Sequence, residues 1–127
     1  MNVATSDPVE VVRRMADAWN AHDLDAVYGA MTEDYCEYVN GVLVKTSAAE
    51  ARAADQTATY EVIPDYRRTI EELWGSGDRV LSRFSVHGTT VEGRRLQLAV
   101  ACTYVVRDGR IAESRLFFDP STIWLPD

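Results

Sequence analysis

A membrane-spanning run is the first thing this sequence lacks, since no apolar stretch approaches the roughly 18 residues a span requires. The opening, MNVATSDPVEVV, has neither the positive start nor the apolar stretch of a secretory leader. The expectation is a cytoplasmic chain with no membrane partner. Cysteine is nearly absent: Cys36 and Cys102 stand alone within expected strands, without Cys-x-x-Cys or Cys/His spacing. They read as small buried hydrophobes, and no metal site is expected. Basic residues are outnumbered, 13 Lys and Arg against 20 Asp and Glu, for a formal charge of −7. The basic clusters VVRR and GRR are too short to follow a phosphate backbone, so nucleic acid is excluded as a partner. Repeats, linkers and low-complexity segments are missing too. The 127 residues therefore read as one domain, 1–127, long enough to bury about two thirds of its unfolded surface.

What is present is a run of helical signals followed by a run of strand signals. Ser6 or Asp7 can cap a first helix with Pro8 in its first turn and Val9, Val12, Met15, Ala16 and Trp19 on one face. Asn20-Ala-His22-Asp breaks it, with His22 read as a cap-region residue. Asp23 can cap a shorter helix bearing Leu24, Val27, Tyr28 and Met31. DYCEYV reads as a strand, and Asn40-Gly41 as a tight hairpin into VLV. Ser47 and Glu50 have capping-box spacing for a third helix from Ala48 to about Tyr60. After Pro64 come YRRTIEELW, DRVLSRFSVHG, RRLQLAVACTYVV and RIAESRLFF, separated by glycine-bearing turns. Helices first and an antiparallel meander after them predict an α+β domain with one sheet face covered by helices.

Three segments carry a family resemblance. ADAWNAHDLDAVYGAMTEDY, with its Trp-Asn-x-x-Asp helix boundary, resembles the opening of the SnoaL-like branch of the nuclear-transport-factor-two-like superfamily. IPDYRRTIEELWGSGDRVLSRFSVHGT resembles the central block of SnoaL-like polyketide cyclases and ester cyclases. DGRIAESRLFFDP resembles their closing strand. The resemblance implies a cone-shaped, cystatin-like α+β barrel, its curved antiparallel sheet wrapped around the N-terminal helices and one deep apolar pocket. It implies cofactor-independent chemistry on a hydrophobic oxygenated small molecule, polyketide- or terpenoid-like, by cyclisation, isomerisation or dehydration. An epoxide hydrolase of the limonene-epoxide type and a non-catalytic binder of hydrophobic ligands are the alternatives, because this fold hosts many functions.

The residues weigh these options. Asp119 lies at the same distance from Gly109 as the acid/base aspartate of the cyclases. Against Phe117, Phe118 and Trp124 it would lose hydration and rise in pKa; Asp-Pro after a strand is equally ordinary turn chemistry. His87 precedes the glycine of HGTT, whereas the cyclases carry Gly-Thr-His, so Thr90 stands at their histidine's place. It reads as a base, a proton shuttle or a rim residue. Strand alternation sets Leu81, Arg83, Ser85 and His87 opposite Val80, Phe84 and Val86. Tyr38 and Asn40 match the Tyr-x-Asn of the epoxide hydrolases, and Arg83 their arginine. Ser85 and Leu116 occupy the places of the flanking carboxylates, so Asp119 or Glu37 would have to substitute. The ketosteroid isomerase triad falls on Met15, Val39 and Cys102, which rejects that mechanism. Asp119, His87, Arg83 and Tyr38 are thus the catalytic candidates. Asn40, Trp19, Leu98, Val100, Cys102, Tyr104 and Phe117 are the expected substrate contacts. The opposite face of the same strand, Gln97, Ala99, Ala101, Thr103 and Val105, carries small side chains suited to an isologous homodimer.

Overall fold

The structure, a computed structural model, describes residues 7–122. Asp7 caps α1 (Pro8–Asn20) by accepting from Val9 N at 3.1 Å; Ser6, the other expected cap, lies outside the described residues. The face of α1 that turns inward carries Val11, Val12, Met15, Ala16 and Trp19. Asp23 caps α2 (Leu24–Gly29) through Ala26 N. Met31, expected on α2, instead opens β1 (Met31–Val39). Ile111 N reaches the Ala30 carbonyl at 2.8 Å and pairs Met31 with Ile111, so the ladder captures the chain one turn earlier than its helical periodicity suggests.

Asn40 and Gly41, both at positive φ (49° and 85°), form the tight turn from β1 into β2 (Val42–Lys45), the backbone such two-residue hairpins demand. Ser47 caps α3 (Ala48–Asp55) by accepting from Glu50 N. The helix expected to reach Tyr60 stays α-helical only to Asp55, and Gln56–Tyr60 continue as one π-helical turn. That wider turn sets the Tyr60 ring on His22, 4.3 Å between centroids, with its hydroxyl donating to the Trp19 carbonyl.

Four long strands follow: β3 (Arg67–Ser76), β4 (Arg79–Thr89), β5 (Arg95–Arg107) and β6 (Arg110–Phe117). The curved sheet has the order β2-β1-β6-β5-β4-β3. All pairings are antiparallel except β1 with β6, which run parallel. The expected α+β architecture holds, with that one parallel pairing added to the antiparallel sheet. Strict alternation on β5 buries Leu96, Leu98, Val100, Cys102, Tyr104 and Val106, while Gln97, Ala99, Ala101 and Thr103 face away from the helices. The core lies between that inner face and the three helices.

Candidate active site

The space between helices and sheet holds two adjoining chambers. The outer one, about 260 Å³, is walled by Phe84 and Val86 of β4, Leu96, Leu98 and Val100 of β5, and Phe118 beyond β6, with Thr59 and Ile63 bordering it. The inner one, about 30 Å³, is bounded by Met15, Trp19, Tyr28, Tyr35, Glu37, Tyr104 and Ser114. That is room for about one water-sized group. Arg68 and Leu116 border both. An apolar chamber therefore leads to a narrow polar end.

Three elements assemble the polar end. Glu37 on β1 accepts from Tyr35 Oη at 2.9 Å and from Lys45 Nζ of β2 at 2.8 Å. Lys45 also lies 3.6 Å from Asp55 at the end of α3, and Asp55 accepts from the Tyr28 hydroxyl. The side chains of Glu37, Lys45 and Asp55 are only 13%, 17% and 14% exposed, so their charges act through little water. Burial raises the Asp55 carboxyl above its ordinary value, against the opposing pull of Tyr28 and Lys45. Burial alone would lower the Lys45 ammonium, but Glu37, seconded by Asp55, outweighs it and holds it above the usual value. Burial, seconded by the neighbouring carboxylates, raises the Tyr28 and Tyr35 phenols. Both remain neutral hydrogen-bond donors at physiological pH.

Arg68 stands where the chambers meet. Its Cζ lies 4.7 Å from the Trp19 ring centroid and 4.6 Å from that of Phe84, so aromatic rings line the guanidinium on the inner and outer sides. Nη2 donates to Tyr66 Oη at 2.8 Å, and Nε is buried without a partner. The backbone at Arg68 is held by α1: Asn20 Nδ2 donates to its carbonyl and Asn20 Oδ1 accepts from its N–H, both at 2.8 Å. β3 is an edge strand, and the asparagine amide satisfies backbone groups that an edge leaves open. His22, at φ 57°, ties the next stretch by donating from Nε2 to the Tyr66 carbonyl at 2.8 Å. Among the described residues no group of three or more His, Cys, Asp or Glu side chains could hold a metal ion.

The SnoaL-like polyketide cyclase family model matches residues 9–124. The chain belongs to the SnoaL-like polyketide cyclase family. No curated protein sequence matches it. Among solved structures, an LEH-like epoxide hydrolase from M. tuberculosis is 21% identical, with a TM-score of 0.81 over 94% of this chain and 87% of that one. IdmH, a proposed polyketide cyclase from Streptomyces antibioticus, is 21% identical, with a TM-score of 0.79 over 92% and 95%. An uncharacterized cystatin-fold protein from Novosphingobium aromaticivorans is 25% identical, with a TM-score of 0.79 over 88% and 98%. At these identities the likeness is one of fold.

Several of the residues expected to serve a SnoaL-like site lie elsewhere. Asp119 is exposed, and its Oδ1 accepts from the backbone N and the hydroxyl of Ser121, capping the short 3-10 turn Pro120–Thr122. Those bonds lower its carboxyl below the ordinary range instead of raising it. Trp124, expected beside it, lies outside the described residues. Phe117 is 47% exposed, and Phe118 takes the cavity position, one residue on, where alternation turns the side chain inward. Arg83 is half exposed on the helix-free face, paired with Glu71 and Glu72. His87 shares that face, half-buried, and does not line either chamber. The Tyr38 ring lies under the Arg115 guanidinium at 3.9 Å, away from the inner chamber. Asn40 is the turn residue: its Oδ1 accepts from Phe118 N, and its N–H donates to the Leu116 carbonyl.

Of the expected substrate contacts, Trp19 and Tyr104 line the inner chamber, and Leu98 and Val100 the outer one. Cys102 is buried between them on β5, its thiol pushed up to about 12 by burial. In the sequence Glu37 stands only as a substitute carboxylate, and no local motif marks Arg68, Lys45 or Asp55. Alternation within DYCEYV places Glu37 on the same face as Tyr35, and this was the available signal.

Proposed function

We propose that this SnoaL-like protein is a cofactor-independent acid–base enzyme acting on a hydrophobic, oxygenated small molecule, with Glu37 moving the proton. The observation that carries this is the Glu37 carboxylate at the narrow polar end of the cavity, oriented by Tyr35 and Lys45. A carboxylate held by two donors has one geometry and little water to compete with, which general-base catalysis at a carbon next to a carbonyl requires. Tyr28 and Tyr35 stay neutral, and their hydroxyls, given to Asp55 and Glu37, hold the polar network in place. Cyclisation, isomerisation and dehydration share that proton transfer. Asp119 keeps the turn role its contacts describe. Self-association as a homodimer and a cytoplasmic setting complete the reading.

Proton transfer is read directly by deuterium exchange at the carbon next to the carbonyl of 2-tetralone in heavy water, followed by NMR. Wild-type protein should accelerate exchange above the buffer rate. Glu37→Gln should lower that acceleration by about 100-fold or more, and Asp119→Asn should leave it unchanged. Exchange that survives Glu37→Gln and is lost in Asp119→Asn would return the acid–base role to the C-terminal turn. Ligand-induced rises in melting temperature without exchange would make the protein a binder. Diol formation from epoxides would move it to the hydrolases.

A further inference from the structure

We infer that Arg68 is the anchor for an oxyanion on the ligand, so that the cavity takes an apolar ring system bearing one ionised oxygen. The inference rests on reading the cavity as the substrate site and is independent of which group moves the proton.

Three observations converge. First, an arginine is cationic at every physiological pH, yet among the described residues Arg68 has no ion pair; Glu37 and Asp55 are engaged with Lys45. A buried charge is ordinarily paired. Second, Nη2 gives one of the guanidinium's five N–H donors to Tyr66, and Nε is buried without a partner. A guanidinium with donors left over at the border of both chambers suits an oxygen acceptor. Third, the guanidinium sits between Trp19, which lines the inner chamber, and Phe84, which lines the outer one. A ring system in the outer chamber would lie beside it, and the inner chamber has space for about one oxygen-sized substituent. The Asn20 clamp fixes the arginine's backbone before any ligand arrives, so little ordering is left to do on binding.

Enolates, phenolates and carboxylates share this chemistry, and matched ligand pairs separate them. Calorimetric titration would compare 4-nitro-1-naphtholate with its methyl ether, and 2-naphthoate with its methyl ester. Wild-type protein should bind at least one anion about 10- to 100-fold more tightly than its neutral partner, the range of a charge-assisted hydrogen bond. Preference for the naphtholate alone would specify an enol- or phenol-derived oxygen; preference for the naphthoate alone would specify a carboxylate. Arg68→Met, close in length and apolar, should bring the preference to about one while leaving the neutral ligands bound.

A second readout needs no variant. In wild-type protein labelled with ¹⁵N, one arginine Nε–H resonance should move downfield with the anion and stay in place with its neutral partner. Equal affinity within each pair, a preference that survives Arg68→Met, or no responding Nε–H would overturn the proposal and leave the aromatic rings as the sole partners of Nε. Glu37→Gln separates the two claims: it should lose exchange on 2-tetralone and retain the anion preference.

Discussion

Asp55 is the residue whose surroundings make the sharpest demand on solution behaviour. Its carboxyl is raised above the ordinary 3.8, chiefly by burial. An acid raised in the folded state stabilises that state only while protonated. The contribution is present below the unfolded value and is lost as pH climbs through the higher folded one. Asp55→Asn removes that loss, so its melting temperature relative to wild type should increase steadily as pH is raised from about 4 towards 7. Fluorimetric melts across that range read the difference. A difference that shrinks with pH would mean that attraction to Lys45, the chain's one lysine, outweighs burial. At this scale the sequence was least legible. Glu37, Lys45 and Asp55 come from a strand, its hairpin partner and a helix, and only the fold brings them within bonding distance. Asp119, by contrast, combined an acid with neighbouring phenylalanines, but alternation sends Phe117 and Phe118 to opposite sides and leaves the acid beyond the last strand, in water.

Among the elements, β4 shows how a strand shapes the cavity through what it omits. A Cβ built on Gly88 would lie 2.3 Å from Ile63 Cγ2 and 3.3 Å from Asp65 Oδ1. The segment before β3 is pressed onto the strand there, with Asp65 accepting from Thr89 N at 2.7 Å. Gly88→Ala must displace a branched side chain that borders the outer chamber, at a cost of about 1–3 kcal/mol. Urea titration should show that loss, and naphthyl-ligand affinity should fall with it; an unchanged midpoint would mean the segment yields freely. Elements were the most legible level of the sequence. The β5 alternation, the Asn40-Gly41 turn and the Asp23 and Ser47 caps are local chemistry, and local chemistry is written in order along the chain. The parallel pairing of β1 with β6 was not legible, because its partners are remote in sequence and no turn joins them. The π-helical turn after Asp55 has no local signal either, since what holds Tyr60 there is Trp19 and His22.

For the molecule as a whole, the sheet offers one covered face and one bare one. The bare face combines the small side chains of β5 with exposed Trp74 and Phe117, 59% and 47% accessible, and with the Arg83–Glu71–Glu72 and Arg115–Glu113 ion pairs. Two copies related by a twofold axis would bring the same patch against itself. Light scattering over a dilution series should give twice the 14.2 kDa chain mass at micromolar concentration, and Ala101→Arg should reduce it to the monomer. A single-chain mass throughout the series would show that this face meets solvent.

The amide grip of Asn20 on β3 settles an ambiguity written into the chain. Arg67 and Arg68 are chemically identical neighbours, and slipping a strand by one residue exchanges its faces. Composition alone would accept either arginine inside. By accepting from one particular peptide N–H and donating to the carbonyl of the same residue, the last residue of the first helix selects which of the twins is sealed in and which is left to water.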